Sequence, residues 1–372
     1  MRRSVGAAGV VILTLGCAQT SAEQQIVNEA AEALGGRERV SAVRTIAVEG
    51  EGTQYNLGQD LRPDARGQTF SVTGLTRRMD LTAGRVRTEL TRTPNFAYFQ
   101  GQAAQRQVQG IDAEVGYNLG ANGTAIRVAA PTARDRRADF YHQPLTIVRA
   151  ALAPGVTLAN ARTQSDDRLV NVTTDNGLTF VLAVDGAGLP SRVSSKSYHA
   201  NLGDVTLSTQ FAEYEEVSGI KLPTRVTTAV DDFTTAELRI TKHTVDGDVG
   251  DLVAPDSAAS AAASGPPPPN VVPEVVAPGI WLLAGQSHHS ALIEMSVSEN
   301  PHSHTMLMVH LPAERVLVEV DAFSPGAAVQ PYAANLLENI TKRRLRVDRI
   351  VPLHGAIAPF SDVVKAQASQ TN

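Results

Sequence analysis

Hydrophobic and polar residues alternate in short runs between residues 44 and 243, which is typical of half-buried β-strands. Turn sequences separate the runs, and the clearest are TDNG at 174–177, DGAGLP at 185–190 and SGIKLP at 218–223. Strands that follow one another through such turns predict an antiparallel β-rich meander or half-barrel. Residues 132–152 are charged and then apolar, which predicts helix with a break near Pro144.

The N-terminus has the order of a secretory signal. Two arginines precede an apolar run from Val5 to Leu15, and small residues follow. The run is too short to be a good membrane span. We place cleavage after Ala22, so that residues 1–22 are the predicted signal peptide. Alternatively Cys17, the only cysteine, is the lipidated first residue of a bacterial lipoprotein and attaches the protein to a membrane. Both alternatives predict an exported protein, periplasmic or lipid-anchored.

A change in composition divides the remaining chain. Residues 254–274 are rich in alanine, serine and proline, with four consecutive prolines at 266–269, and predict an interdomain linker. The linker separates a β-rich N-terminal domain, residues 23–253, from a C-terminal unit, residues 275–372. In the C-terminal unit strand patterns alternate with an amphipathic helical pattern, which indicates α/β structure. The predicted fold class of the whole chain is therefore α+β.

Composition and charge exclude several kinds of function. The formal net charge is −5 and no broad basic excess is present, so we expect no nucleic-acid partner. A single cysteine allows neither an internal disulfide nor a thiolate metal cluster. The N-terminal domain contains no serine-hydrolase elbow and no phosphate loop, and its scattered histidines (His142, His199 and His243) are predicted to be ordinary surface or half-buried residues.

Three segments of the C-terminal unit resemble the metallo-β-lactamase-fold hydrolases. They are VAPGIWLLAG at 276–285, NPHSHTMLMVHLPAERVLVEVDAF at 300–323 and VDRIVPLHG at 347–355. The resemblance implies an αββα sandwich with a dinuclear site, usually zinc. By position, His302 would be the late histidine of the first metal, Asp321 the bridging carboxylate and His354 the last ligand of the second metal. A metal held by such residues makes a bound water nucleophilic.

The family's His-x-His-x-Asp-His cluster is absent from the chain, so the predicted sandwich is truncated between Met295 and Asn300. Each metal would have fewer than three protein ligands, and the alternative ligands are His304, His288 and His289. We therefore predict an exported hydrolase-like protein, weak or inactive as a zinc-dependent enzyme, with a small-molecule substrate if it is active. The missing half would expose apolar sheet faces. Three alternatives follow: coverage by the N-terminal domain, coverage by a second copy in a homodimer, or no coverage and an unstable product.

A second hypothesis assigns the function to the N-terminal domain. Its strand pattern resembles the concave sheets of bacterial outer-membrane lipoprotein carriers, and such a sheet could hold an acyl chain or another apolar ligand. The chain would then be a periplasmic lipid- or apolar-ligand-binding module. Two further interpretations stay open: a structural domain whose core is filled by its own side chains, and a gene product without a selected role.

Overall fold

The computed structural model describes residues 20–56, 67–97, 101, 103–199, 203–263, 272–277, 280–284, 296–300 and 303–368. All structural statements below concern these residues. None of the helices within them combines the length and the apolar character needed to cross a membrane.

Most of the described chain forms one antiparallel sheet of thirteen strands. The strands are β1 (Thr45–Asn56), β2 (Gln68–Asp80), β3 (Arg85–Pro94), β4 (Gln105–Asp112), β5 (Val115–Leu119), β6 (Ala125–Arg127), β7 (Thr157–Gln164), β8 (Asp167–Thr173), β9 (Thr179–Val184), β10 (Pro190–His199), β11 (Gly203–Val217), β12 (Ile220–Val230) and β13 (Phe233–Val245). Their spatial order is β6-β5-β4-β3-β2-β1-β13-β12-β11-β10-β9-β8-β7. Two meanders are thus joined where β1 pairs with β13.

Four helices accompany this sheet: α1 (Ala22–Leu34), α2 (Arg37–Ala42), α3 (Ala130–Tyr141) and α4 (Pro144–Leu152). Helix α1 begins after Ser21, whose hydroxyl accepts a hydrogen bond from the Gln24 amide at 3.2 Å, and ends at Gly35, where φ is 139°. The predicted break near Pro144 is confirmed, because α4 begins at this proline. Helices α3 and α4 connect β6 to β7, the two edges of the sheet.

The sheet curves around these helices. Helix α3 contacts β4 and β5 near one edge and also β10, although six strands lie between β4 and β10. A helix is only ~10–12 Å across, so the sheet must bend to bring these strands to it. The face that contacts the helices is called the concave face below. Its main core joins the apolar side of α1 and α4 to side chains of β1–β4 and β8–β12.

Glycines and bulges bend the sheet where the two meanders meet. A Cβ on Gly52 would lie 2.1 Å from the Glu237 carbonyl oxygen, and one on Gly50 would lie 2.5 Å from that of Arg239. The register of β1 with β13 shifts between Glu49 and Gly50. Close approach without side chains, together with a bulge, produces local curvature in sheets.

The second sheet is small and mixed. It contains β16 (Ser296–Asn300), β17 (Ser303–Leu311), β18 (Val316–Glu319), β19 (Arg349–Pro352) and β20 (Ala358–Pro359), and only β18 and β19 are parallel. A hairpin of β14 (Val272–Ala277) and β15 (Ile280–Ala284) precedes it. Three further helices are α5 (Asp256–Ala259), α6 (Ala333–Lys342) and α7 (Phe360–Ala368).

The second sheet has helices on one face and the hairpin on the other. Leu317 and Ile350 pack against α6 and α7, whereas Val316 and Val351 pack against Val276 of the hairpin. This alternation follows from the two-residue period of a strand. The described residues therefore form three layers here.

The predicted fold class, with a truncated αββα metallo-β-lactamase-like domain, is wrong. The described chain is mainly the thirteen-stranded antiparallel sheet, and the small second sheet has the three layers just given. The physical reason is that an apolar strand ending in a histidine or an aspartate is a local pattern. It recurs in any small α/β unit and does not fix the number of layers.

The predicted linker includes ordered structure. Helix α5 lies within residues 254–274, and Ala254 and Ala258 are buried against Tyr117 of β5. This contact covers part of the convex face, the side of the sheet opposite the helices α1–α4. The domain limits at 22, 253 and 274 stay a prediction.

Candidate functional site

Two of the predicted ligands meet at one edge of the second sheet. Strands β18 and β19 run parallel, so the residues that follow them lie side by side. The His354 Nε2 atom lies 3.1 Å from Asp321 Oδ1, and both side chains are partly exposed. Asp321 adopts a φ of 57°, in the left-handed region that non-glycine residues rarely enter. The tertiary structure thus builds a histidine–carboxylate pair.

Glu319 supports the turn that carries Asp321, and the sequence analysis missed it. Its Oε2 atom accepts hydrogen bonds from the Ala322 amide at 2.7 Å and the Phe323 amide at 3.2 Å. The side chain is buried, and Oε1 has no partner among the described residues. Burial, together with the charge of nearby Asp321, raises the pKa of Glu319 to about 8 against the effect of the two amides. The one signal in the sequence is a lone glutamate within the apolar run VLVEV.

The other predicted ligands do not join this pair in the described structure. His302, His288 and His289 lie outside the described residues, and only the backbone of His304, on β17, is described. Within the described ranges no three His, Cys, Asp or Glu residues are grouped so that they could hold a metal ion. Ligation of zinc by His302, Asp321 and His354 stays a prediction.

His142 forms a buried polar network on the concave face. It follows α3, and its ring nitrogens lie 3.0 Å from Thr209 Oγ1 and 2.9 Å from Ser195 Oγ. Burial lowers the pKa of His142, while the nearby Asp139 carboxylate partly opposes this shift. A catalytic triad would place a carboxylate on the nitrogen that here meets Thr209. The network is therefore a structural tie between α3 and strands β10 and β11.

The concave face also carries a row of side chains that crosses seven strands. Residues directly opposite one another in antiparallel strands point to the same face. Successive pairs of this kind define the row Phe211, Val226, Leu238, Gly52, Val72, Arg92 and Gln105. The row is apolar from β11 to β2 and becomes polar at β3 and β4.

A second hydrophobic cluster surrounds the apolar part of this row, and its members all belong to strands. Val72, Leu75 and Ile240 are buried, and four partly buried residues pack against them: Val48, Leu90, Val226 and Leu238. We call these seven residues the apolar strip. It is distinct from the main core, in which α1 and α4 take part, although Val48 and Val226 contact both.

The polar end of the row is formed by Arg92 and Gln105. The Arg92 guanidinium lies over the ring of Phe70, 4.3 Å from its centre, and Arg92 Nε donates a hydrogen bond to Gln105 Oε1 at 2.9 Å. The Gln105 Nε2 atom is buried and has no partner among the described residues.

Tyr332, which precedes α6, donates a hydrogen bond to the Ala97 carbonyl at 2.9 Å. The C-terminal part therefore contacts the chain just beyond β3.

Two open grooves are also present in the described structure, and the second shares Gly52, Val72 and Leu238 with the row. One, of about 510 Å³, is lined by residues 323–330 and by Asp362, Lys365 and Ala366 of α7. The other, of about 590 Å³, is bordered by charged side chains of both signs, including Glu51, Glu213, Arg225 and Arg239. Charged borders make the second groove a poor site for an apolar ligand.

Comparisons with known proteins bear on the predicted family. No family model matches the chain, and no curated protein matches it. Among solved structures it is similar to the LolA superfamily protein NE2245 from Nitrosomonas europaea, with 12% identity and a TM-score of 0.32 over 60% of this chain and 92% of that one. It is also similar to a DUF1329 family protein from Desulfovibrio piger, with 12% identity and a TM-score of 0.34. The match covers 64% of this chain and 99% of that protein. A third similar structure is a Vibrio parahaemolyticus domain that is provisionally described as an outer membrane lipoprotein-sorting protein. Its identity to this chain is 11% and the TM-score is 0.33, over 60% of this chain and 93% of that domain.

The resemblance to metallo-β-lactamase-fold hydrolases is wrong. The dominant thirteen-stranded sheet and the three-layer second unit do not form that fold, and no model of that family matches the chain. The assignments as a hydrolase and as a zinc protein depended on this resemblance and are not supported without it, and the described residues contain no group of three metal ligands. Asp321 and His354 do meet, with His354 Nε2 3.1 Å from Asp321 Oδ1.

Proposed function

We propose that the chain is an exported protein that binds a lipid or another apolar ligand on the concave face of its thirteen-stranded sheet. The observation that carries the proposal is the apolar strip, a hydrophobic cluster built only from strand residues on that face. Its four partly buried members, Val48, Leu90, Val226 and Leu238, offer apolar surface along which a flexible chain can lie.

Element lengths explain why the concave face has room beyond the helices. Strands β2 and β13 each contain 13 residues, and so does helix α1. At the usual rises, a strand of this length spans ~43 Å and the helix ~20 Å. A helix as long as α1 therefore spans less than half the length of such a strand.

The rival interpretation is a structural domain whose core is filled by its own side chains. The main core around α1 and α4 fits that interpretation, because helix and strand residues fill it together. In the described structure, the apolar strip contains strand residues only, without helix residues to fill the space above them. The row through the strip ends at Arg92 and Gln105 instead of at further apolar side chains. A binding surface with an apolar and a polar end is the better account of this row.

The location and partners follow from the sequence. The signal pattern at residues 1–22 supports export, and Cys17 would attach the protein to a membrane if it is lipidated. Either location gives access to lipids. A homodimer stays a prediction, and the molar mass of the purified protein in solution tests it.

The binding function is tested with purified mature chain, residues 23–372, by mass spectrometry of extracted lipid and by titration with a fluorescent fatty acid. Leu238→Gln places an amide in the strip and should weaken probe binding about fivefold or more, because burying an unpaired amide costs about 1–3 kcal/mol. The matched control is Arg239→Gln, the next residue on the opposite face. Absence of both co-purifying lipid and probe binding would overturn the proposal.

A further inference from the structure

The geometry points to an anionic head group on the proposed ligand. We propose that Arg92 and Gln105 bind the carboxylate or phosphate of an amphiphile whose hydrocarbon chain lies along the apolar strip. This inference rests on the proposed lipid-binding function and adds the chemical class of the ligand.

Arg92 carries a positive charge without a carboxylate partner in the part of the chain that the structure describes. Its neighbours differ: Arg85 pairs with Asp112 at 2.7 Å, and Arg106 pairs with Glu89 at 2.8 Å. The contacts of Arg92 are the face of Phe70 and the Gln105 side chain. One of its five N–H groups is used by Gln105, so the guanidinium keeps donors for two oxygens of a carboxylate or phosphate.

Gln105 supplies a second donor beside this charge. Its Oε1 atom accepts from Arg92, which fixes the amide and leaves Nε2 as the free end. A buried amide N–H without a partner costs about 1–3 kcal/mol, so a ligand oxygen at this position would be strongly favoured. An anion would satisfy Gln105 Nε2 and neutralise Arg92 together, whereas a cationic or purely apolar ligand would do neither.

The strip extends from this charge over the length of a long acyl chain. Arg92 lies directly opposite Val72, and the row continues through Gly52 and Leu238 to Val226. These are four steps between neighbouring strands at ~4.8 Å each, or roughly 19 Å in total. The arrangement therefore matches an anion at one end and a hydrocarbon chain across four strands.

The test compares four probes of equal chain length on the mature full chain by titration calorimetry. They are hexadecanoate, hexadecyl phosphate, hexadecanol and hexadecyltrimethylammonium. We expect the two anions to bind at least about tenfold more tightly than the alcohol, because hydrogen bonds to charged groups contribute ~1.5–3 kcal/mol. The cationic probe should bind no better than the alcohol. The ratio between the two anions distinguishes a fatty acid from a phospholipid as the source of the head group.

Arg92→Gln should remove the preference for anions while the affinity for hexadecanol is kept, which also shows that the variant is folded. Arg106→Gln is the matched control, since Arg106 is on the adjacent strand, faces the other side and is largely exposed. Equal affinity of the wild-type chain for hexadecanoate and hexadecanol, or an Arg92→Gln variant that keeps the preference, would overturn the anionic head group alone. Failure of all four probes to bind would overturn the proposed function itself.

Discussion

The Nε2 atom of His354 lies 3.1 Å from Oδ1 of Asp321, across the ends of the parallel strands β18 and β19. Two residues 33 positions apart in the chain are thus held in hydrogen-bond contact by strand pairing. The pair supplies two ligand types, whereas a catalytic zinc normally has three protein ligands and a water.

This pair leads to a prediction on metal content. We expect mature protein equilibrated with zinc and then desalted to retain well under one zinc per chain, since the described residues bring together only two ligand side chains here. Asp321→Ala should leave the metal content unchanged. Elemental analysis of both proteins measures this, and nearly stoichiometric zinc that is lost in Asp321→Ala would contradict it.

Glu319 predicts a dependence of stability on pH. Its folded-state pKa of about 8 lies above the unfolded value of 4.5, so the folded state favours the protonated carboxyl. The stability from this group is fully present below pH 4.5 and is lost as the pH rises through about 8. Glu319→Gln keeps an acceptor for the two amides and removes the titration.

We therefore expect Glu319→Gln to gain stability relative to the wild type between pH 5 and pH 8, on the order of a few kcal/mol at ~1.4 kcal/mol per pKa unit. Urea unfolding at the two pH values measures the change. Glu314, which is partly exposed, provides the matched substitution, Glu314→Gln, and this variant should show no such trend. A pH-independent difference between Glu319→Gln and wild type would refute the assignment.

His142 predicts a pH dependence of folding stability in the opposite direction to that of Glu319. Burial lowers its pKa below 6.5 in the folded state, so the neutral imidazole is favoured there. Its contribution is present above pH 6.5 and is lost as the pH falls through the lower folded-state pKa. When His142 is protonated, both ring nitrogens donate, and the hydroxyls of Ser195 and Thr209 can rotate to accept. The main cost of protonation is therefore the buried charge.

We expect His142→Gln to be less stable than wild type at pH 8 by about 1–2 kcal/mol, because it loses well-placed hydrogen bonds to Ser195 and Thr209. The deficit should shrink towards pH 5. Thermal unfolding by circular dichroism across this range measures the trend. A deficit that stays constant or grows towards acid would show that His142 is not the titrating group.

At position 52, the close approach of β1 to β13 leaves no space for a side chain. A Cβ there would lie 2.1 Å from the Glu237 carbonyl oxygen, so Gly52→Ala must displace β1 from β13. Overpacking of this kind costs about 1–3 kcal/mol. Gly186→Ala is the control, because no atom lies within 4 Å of the Cβ position there.

Chemical unfolding of both variants and of wild type measures the difference. We expect Gly52→Ala to be clearly destabilised and to bind the fluorescent fatty acid less well, since the apolar strip crosses the same bend. Gly186→Ala should match wild type in both measurements. Equal stability of the two variants would show that the approach of β1 to β13 does not require glycine.

Local features of this protein can be read from its sequence. The turn sequences at 174–177, 185–190 and 218–223 lie where β8 turns to β9, β9 to β10 and β11 to β12. The apolar residues that recur at helical spacing near the start of the chain are all buried in α1: Ile26, Val27, Ala30, Ala31 and Leu34. Alternation, turn residues and helix-ending glycines act over a few residues, so the sequence determines them directly.

The family resemblance failed for a related reason. It depended on three short segments, and short strand-and-ligand patterns say where an aspartate or histidine stands, not how many layers surround it. The structure decided the layers through packing, with Leu317 facing helices and Val316 facing the hairpin.

The sequence by itself determined the strands, their hairpins, the first helix and the residue types of the candidate ligands. Only the tertiary structure decided that β1 pairs with β13, that Asp321 meets His354 and that Glu319 is buried. It also decided that Arg92 follows the apolar part of the row, with no carboxylate beside it among the described residues. The physical reason is distance along the chain. These relationships join residues that are far apart in sequence or depend on which groups share a face, and long-range packing sets both.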